Sequence, residues 1–323
     1  MTINMTKENI ETIVSVRLPV DEELKIKKHR IEGGEGADKK RISIVTGIHG
    51  DELEGQYVCY ELQRRIEKEK DKLTGIVDIY PAMNPLGIDS ITRGIPAFDL
   101  DMNRLFPGNE SGNMTEYLAA GIIKDVKGSD CVLDIHASNI FLTEIPQIRI
   151  NELHEERLVP LAKEANVDFI WVHGASTVLE STFAYSLNSI GTPTLVVEMG
   201  VGMRITKAYG DQLVDGIFNL MKKMEIWSGD VPEVRKPIIS RNPDDVSYLN
   251  SKVSGVFIPD VKHWTPLKKG EVVGHVVDPL SGKILDEVTA PIDGILFTIR
   301  EYPIVDEGSL IGRLLSKEVL ENE

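Results

Sequence analysis

Apolar positions in the first part of the chain, up to about residue 226, follow two alternating patterns. Short runs of apolar residues predict strands over 11–20, 24–32, 41–47, 76–85, 131–137, 168–174 and 192–200. Apolar residues spaced three and four apart predict amphipathic helices over 56–70, 115–126, 151–165 and 205–226. Strands that alternate with helices are typical of an α/β sandwich with a mostly parallel sheet.

The pattern changes near residue 228. The segment that follows contains two prolines and mixed charges, which is typical of a linker, and from about residue 245 only short β-like runs remain. Gly and Pro separate these runs. We therefore predict two domains, an α/β domain over 1–228 and a small all-β domain over 229–323.

Composition narrows the classes of partner. The chain has 36 Lys and Arg against 51 Asp and Glu, a formal charge of −15, which argues against nucleic-acid binding through clustered positive charge. No run approaches the roughly 20 apolar residues of a transmembrane helix, and the start of the chain lacks a signal-peptide pattern. We expect a cytoplasmic protein without a membrane partner, while the oligomeric state stays open.

A candidate metal site stands out among the strand ends. His49 and Glu52 follow a predicted strand with the spacing HxxE and precede a helix, and His136 lies at the end of another strand. Two histidines and a glutamate are a known ligand set for catalytic zinc, which keeps one position open for water. The HxxE spacing alone is weak evidence for a metal site, but its place between a strand and a helix strengthens the prediction. Asp134 shares a strand face with His136 and could orient it, or it could cap a loop.

Two further groups are candidates for substrate chemistry. Arg93 and the stretch DLDMNR, with Asn103 and Arg104, lie in a long loop over 84–112, and a guanidinium binds a carboxylate through paired hydrogen bonds. The alternative is that these polar residues only stabilise the loop. Glu198 closes an apolar strand, where a carboxylate is costly unless paired or functional, so it is a candidate general base. The alternative is that Glu198 is an exposed carboxylate at a strand end, without a catalytic role.

The ordered motifs GIHGDE, NPLG, Arg93, DLDMNR, DIHAS and VVEMG resemble the succinylglutamate desuccinylase/aspartoacylase family of the zinc carboxypeptidase-like superfamily. The resemblance implies an α/β/α sandwich whose C-terminal β domain packs near the active site. It implies one zinc ion per chain on His49, Glu52 and His136. For the remaining site residues it implies substrate-carboxylate binding by Asn103 and Arg104, carbonyl polarisation by Arg93 and general-base catalysis by Glu198.

The function that follows is hydrolysis of the amide bond of a small, carboxylate-bearing N-acyl amino acid. One alternative is a metallocarboxypeptidase that trims short peptides, since the same core chemistry serves both. Another is a non-catalytic metal-binding or ligand-binding member of the fold. Of the other histidines, only His173, directly after a predicted strand, is a further candidate for the site.

Overall fold

The protein is described by a computed structural model over residues 7–96, 98–174 and 180–321, with only the backbone for 7, 8 and 321. Seven α-helices lie within these ranges. They are α1 (Glu54–Lys68), α2 (Pro85–Ser90), α3 (Met114–Val126), α4 (Glu155–Ala162), α5 (Phe183–Ser189), α6 (Lys207–Lys223) and α7 (Lys317–Glu321). None of the helices in this described part is long and apolar enough to cross a membrane.

The strands of the described ranges form two sheets. The N-terminal and central strands are β1 (Lys7–Arg17), β2 (Glu23–Glu32), β3 (Arg41–Thr46), β4 (Ile76–Tyr80), β5 (Cys131–His136), β6 (Leu142–Asn151), β7 (Phe169–His173) and β8 (Thr194–Gly200). The C-terminal strands are β9 (Ile238–Ser240), β10 (Val246–Asn250), β11 (Gly255–Pro259), β12 (Thr265–Leu267), β13 (Val272–Asp278), β14 (Lys283–Thr289), β15 (Gly294–Arg300), β16 (Ile304–Val305) and β17 (Leu310–Ser316).

The large sheet is mixed, with both parallel and antiparallel pairs of strands. Its centre, β4-β3-β5-β8, is parallel throughout, as the strand–helix alternation predicts. On one side, β1 and β2 add to β4 as an antiparallel hairpin. On the other side, β6 runs antiparallel to β8. The carboxyl ends of β3, β5 and β8 therefore meet at one edge, where α/β sheets bind their ligands.

Helices cover both faces of the central sheet and create two cores. One core joins the apolar faces of α1, α4 and α6 to residues such as Ile44 and Leu133. The other lies beneath α3 and α5 and includes Ile122, Phe183 and Val132. Neighbouring strand residues alternate between the two cores because successive side chains point to opposite faces. The result is the α/β/α sandwich implied by the resemblance.

The C-terminal region is continuous with the large sheet. β15 pairs with the first residues of β6, and β17, β10 and β12 extend the sheet from β15. Only β14-β13-β11-β16 form a separate, antiparallel sheet. The predicted all-β character holds up to α7, whereas the predicted boundary between 228 and 229 stays a prediction.

Apolar periodicity did not predict two elements near the site, β6 and α5. β6 has the sequence LTEIPQIRIN, in which a proline and charged residues interrupt the apolar pattern of a strand. Its pairing with β8 shifts register between Glu144 and Gln147, around Pro146. Proline within a sheet is confined to edges and bulges of this kind. α5, FAYSLNS, is short, and it is capped by the preceding residue Thr182, whose side chain accepts a hydrogen bond from the Tyr185 amide.

Candidate metal centre and active site

The predicted metal ligands come from neighbouring strands. His49 and Glu52 lie between β3 and α1, and His136 is the last residue of β5. β3 and β5 pair in parallel, with Thr46 opposite Ile135, so both segments leave the sheet at the same edge. This shared edge brings together residues that are far apart in the sequence.

The three side chains converge on one point. Glu52 Oε1 lies 3.0 Å from Nδ1 of His49, and Glu52 Oε2 lies 2.9 Å from Nδ1 of His136. The two Nδ1 atoms are 3.2 Å apart, and all three residues are buried. Two imidazole nitrogens and a carboxylate oxygen are donors that zinc prefers, and three such donors facing one another fit a shared cation.

The outer nitrogen of each histidine faces another carboxylate. Nε2 of His49 lies 3.0 Å from Oδ1 of Asp101, and Nε2 of His136 lies 3.1 Å from Oδ1 of Asp134. Asp101 is hydrogen-bonded to His49, which orients the ring and favours the proton on Nε2, so that Nδ1 is free to bind a metal. Asp134 lies within ion-pair distance of His136 Nε2, but neither group has a hydrogen-bond partner there among the described residues. Sequence reasoning considered Asp134 for such a role but missed Asp101, whose position in DLDMNR was the available signal.

The pKa values of Glu52 and Asp101 are lowered, which favours their ionised carboxylates. Burial by itself raises the pKa of Glu52, but His49 and His136 hold that pKa well below its usual value. Burial also raises the pKa of Asp101, yet the contact with His49 and the charge of Arg93 bring it to about 2. Metal binding requires deprotonated ligands, so an ionised Glu52 suits a cation. Burial by itself lowers the pKa of His49 and His136, but neighbouring carboxylates outweigh burial and raise both pKa values, so a cation would bind in place of the protons on these two rings.

The loop between β4 and α3 supplies a cationic wall. Arg93 Nη1 donates to Glu52 Oε1 at 2.7 Å, so its guanidinium lies directly against the cluster. Asn103 Oδ1 accepts a hydrogen bond from the Phe183 amide at 2.9 Å, which ties the loop to α5. Arg104 is exposed, and its Nη1 donates to the Asn103 carbonyl at 2.9 Å. Asn103 thus stabilises the loop, while the two arginines face the cavity.

Glu198 stands beside the cluster on β8. It lies opposite His136 in the parallel register of β5 and β8. Its Oε1 is 3.3 Å from Nη1 of Arg149, whereas its buried Oε2 has no hydrogen-bond partner among the described residues. Burial raises the pKa of Glu198, and the charge of Arg149 opposes this rise. One carboxylate oxygen of Glu198 is therefore both shielded from solvent and unpaired in the described part of the chain.

A single cavity of about 300 Å³ joins these groups. The predicted metal ligands, Arg93, Asn103, Arg104 and Glu198 all line it. His173, a further candidate from the sequence and the last residue of β7, also lines the cavity. Sequence reasoning missed two arginines in the lining, Arg149 on β6 and Arg313 on β17. Neither belongs to a motif, so only the sheet pairing reveals them.

Residues 38–224 match the family model of the succinylglutamate desuccinylase/aspartoacylase catalytic domain, which covers more than half of the chain. The chain belongs to this family. The matched residues run from just before β3 to just after α6, and they include all of the predicted metal ligands, arginines and acids. Membership in the desuccinylase/aspartoacylase family confirms the resemblance inferred from the ordered motifs.

Individual relatives agree with this assignment. The N-alpha-acetyl-L-2,4-diaminobutyric acid deacetylase of Halomonas elongata is 28% identical over 278 residues, which is 83% of this chain and 80% of the relative. A succinylglutamate desuccinylase/aspartoacylase structure from Rhodobacter sphaeroides superposes with a TM-score of 0.79, 22% identity and coverage of 96% and 95% of the two chains. A succinylglutamate desuccinylase from Silicibacter superposes with a TM-score of 0.81, 20% identity and coverage of 98% and 100%.

The structural comparisons establish the fold over nearly the whole chain, including the C-terminal β region. Desuccinylases, aspartoacylases and deacetylases all remove acyl groups. The family match and the Halomonas relative therefore support the expectation of a hydrolase that acts on amide bonds.

Proposed function

We propose that this protein is a zinc-dependent deacylase that hydrolyses the amide bond of a small, carboxylate-bearing N-acyl amino acid. The observation that carries the proposal is the shared cavity. A three-donor cluster, a carboxylate with one free buried oxygen and two guanidiniums face the same space. This combination matches the needs of metal-assisted amide hydrolysis.

His49, Glu52 and His136 would hold one zinc ion. Bound there, zinc would act as a Lewis acid toward the scissile carbonyl and activate water for attack. Asp101 and Asp134 contribute by orienting the two imidazoles, since each faces an outer Nε2. The metal thus depends on five side chains from three separate segments.

Glu198 would carry the proton. Its Oε2 is buried and free, so it can accept a proton from the attacking water and then donate it to the leaving nitrogen. The raised pKa of Glu198, caused by burial, brings the carboxylate closer to the pH at which such transfers are efficient.

The arginines would position the substrate. Arg104 is exposed at the cavity wall, and a planar guanidinium suits a substrate carboxylate. Arg93 lies against Glu52, where its positive charge can stabilise negative charge that develops on the carbonyl oxygen. Asn103 fixes the loop that carries both arginines through its bond to the Phe183 amide.

The direct test is a hydrolysis screen of zinc-loaded protein. N-acetyl, N-succinyl and longer N-acyl amino acids are compared with short peptides that have free carboxyl termini. Because the Halomonas elongata relative is named for an acetylated diamino acid, N-acetyl amino acids with acidic, neutral and basic side chains form the first set. We expect turnover of at least one N-acyl amino acid well above that of peptides, and loss of turnover with a chelator.

Preferential turnover of peptides would replace the deacylase proposal with a carboxypeptidase. Stoichiometric zinc without hydrolysis of any substrate would instead indicate a non-catalytic metal-binding protein.

A further inference from the structure

A row of four alternating charges leads from the C-terminal β region to Glu198. Arg313 Nη1 pairs with Glu144 Oε1, and Glu144 Oε2 pairs with Arg149 Nη2 at 2.8 Å. Arg149 Nη1 then lies 3.3 Å from Glu198 Oε1. The order is Arg313, Glu144, Arg149 and Glu198, so each guanidinium or carboxylate between the ends has an opposite charge on both sides.

Glu144 is the centre of this charge row. Its side chain is fully buried, and it also accepts a hydrogen bond from Thr298 Oγ1 at 3.3 Å. Its partners come from three strands, with Arg149 on β6, Thr298 on β15 and Arg313 on β17. A buried carboxylate is stable only when charge and hydrogen bonds compensate its lost hydration.

The two guanidiniums have a common packing partner. The ring of Trp171 on β7 lies 5.9 Å from the guanidinium carbon of Arg149 and 5.9 Å from that of Arg313. Cation–π contact of this kind restrains the orientation of a guanidinium as well as its position. Glu144 and Trp171 therefore hold Arg149 in place independently of its contact with Glu198.

We propose that Arg313 and Glu144 are positioning residues, which hold Arg149 so that it fixes Oε1 of Glu198 and leaves Oε2 directed at the reacting water. This inference rests on the proposed function, because it assigns Glu198 the proton transfer. It gives the C-terminal region a role in the reaction beyond forming part of the cavity wall.

The charge balance explains how Arg313 can affect Glu198 through Glu144 and Arg149. Two arginines neutralise two carboxylates in the row. Glu144 Oε1 is shared by Nη1 of Arg313 and Nη2 of Arg149, and the same Nη2 also contacts Oε2. Without Arg313, the only remaining cation for Glu144 in the row is Arg149. A fork-shaped pair, in which two nitrogens of Arg149 each contact one oxygen of Glu144, then becomes favourable, and it draws the guanidinium away from Glu198.

The test compares steady-state kinetics of Arg313→Met and Glu144→Gln with the wild type, on the best substrate from the hydrolysis screen. We expect kcat to fall about 10-fold to 100-fold, since a small misplacement of a catalytic group has effects of this size. KM and zinc content should stay near the wild-type values. Arg313→Lys restores the charge and should recover part of the lost kcat.

Glu61→Gln is the matched control. Glu61 is also a buried carboxylate shared by two arginines, Arg64 and Arg65, but it lies on α1 and does not line the cavity. Its loss should lower the free energy of unfolding without changing kcat. If Arg313→Met and Glu144→Gln change kcat no more than Glu61→Gln does, the positioning role is wrong. A raised KM at unchanged kcat, or no recovery in Arg313→Lys, would also overturn it.

A crystal structure of the Arg313→Met variant separates this inference from the proposed function. We expect Arg149 to lie against Glu144 and out of contact with Glu198. If Arg149 still contacts Glu198, the inference fails even where the wild type is an active deacylase. If the wild type hydrolyses no substrate, the proposed function fails, and the crystal structure still decides whether Arg313 positions Arg149.

Discussion

At the scale of residues, the two oxygens of Glu198 have different environments. Oε1 faces Arg149, while Oε2 is buried without a partner among the described residues. An unpaired buried carboxylate oxygen carries a desolvation cost, so the fold maintains an unfavourable local arrangement at the cavity. Such a cost is expected where a group must stay available to a reactant.

Replacement of Glu198 by Gln should remove the proton transfer. We expect Glu198→Gln to lower kcat by about 10²-fold or more, because general acid–base groups contribute on this scale. Zinc content, measured by atomic absorption, should be unchanged, since Glu198 is not among the clustered donors. Near-normal turnover in this variant would show that another group accepts the proton.

Replacement of Asp134 by Asn should weaken metal binding rather than abolish it. Asp134 faces Nε2 of His136, and loss of such a partner lowers metal affinity by about 10-fold to 100-fold. Asp130→Asn is the control, since Asp130 accepts a hydrogen bond from the Arg41 amide just before β5 and does not line the cavity. Competition with a chromogenic chelator measures both affinities, and equal values would remove the proposed role of Asp134.

At the scale of elements, the end of β8 packs closely against the start of α1. Gly200 has a φ of +68°, and a Cβ added there would lie 1.9 Å from Oε1 of Glu54. Glu54 is the first residue of α1, directly after the segment that carries His49 and Glu52. This close contact fixes the strand that carries Glu198 against the helix that follows the metal ligands.

Gly200→Ala should therefore be strongly destabilising. Left-handed backbone costs a non-glycine residue about 1–2 kcal/mol, and the steric clash adds about 1–3 kcal/mol. Gly128→Ala is the matched control, because Gly128 has a φ of +81° with nothing within 4 Å of the added Cβ. Urea unfolding should show a larger loss for Gly200→Ala than for Gly128→Ala. Equal losses would mean that the contact with Glu54 relaxes without cost.

At the scale of the whole molecule, the α/β part and the C-terminal β region share a core. One apolar cluster contains Ile145 and Phe169 from the first region, with Val246, Phe297 and Leu315 from the second. The buried pair of Glu144 with Arg313 also crosses between the regions. Division of the chain at residue 228 would expose this cluster and leave Glu144 without Arg313.

We expect the full chain to unfold in a single thermal transition, because the shared core couples the two regions. A chain of residues 1–228 alone should aggregate or unfold at a much lower temperature, since it exposes the edge of β6 that pairs with β15. Calorimetry of both proteins provides the measurement. Two resolved transitions in the full chain, or a stable truncated chain, would support independent domains instead.

Much of the fold could be predicted because it depends on local patterns of apolar and polar residues. Apolar periodicity located β3, β5, β8, α1, α3 and α6 to within a few residues. β6 and α5 were missed, since β6 has a proline at a register shift and α5 has only seven residues, too few for a clear pattern. Their formation depends on neighbours, because pairing with β8 and packing on the sheet override weak local propensity.

The sequence by itself determined which residues could form the metal cluster. His49, Glu52, His136 and Glu198 lie at or just after the ends of apolar strands, and parallel strands bring those ends to one edge. Only the tertiary structure decided which groups support them. Arg313 and Glu144 are 169 positions apart, and their contact arises because β17, β15 and β6 are adjacent in the sheet. Spacing along the chain does not predict such a contact, because packing of the whole sheet determines the order of the strands.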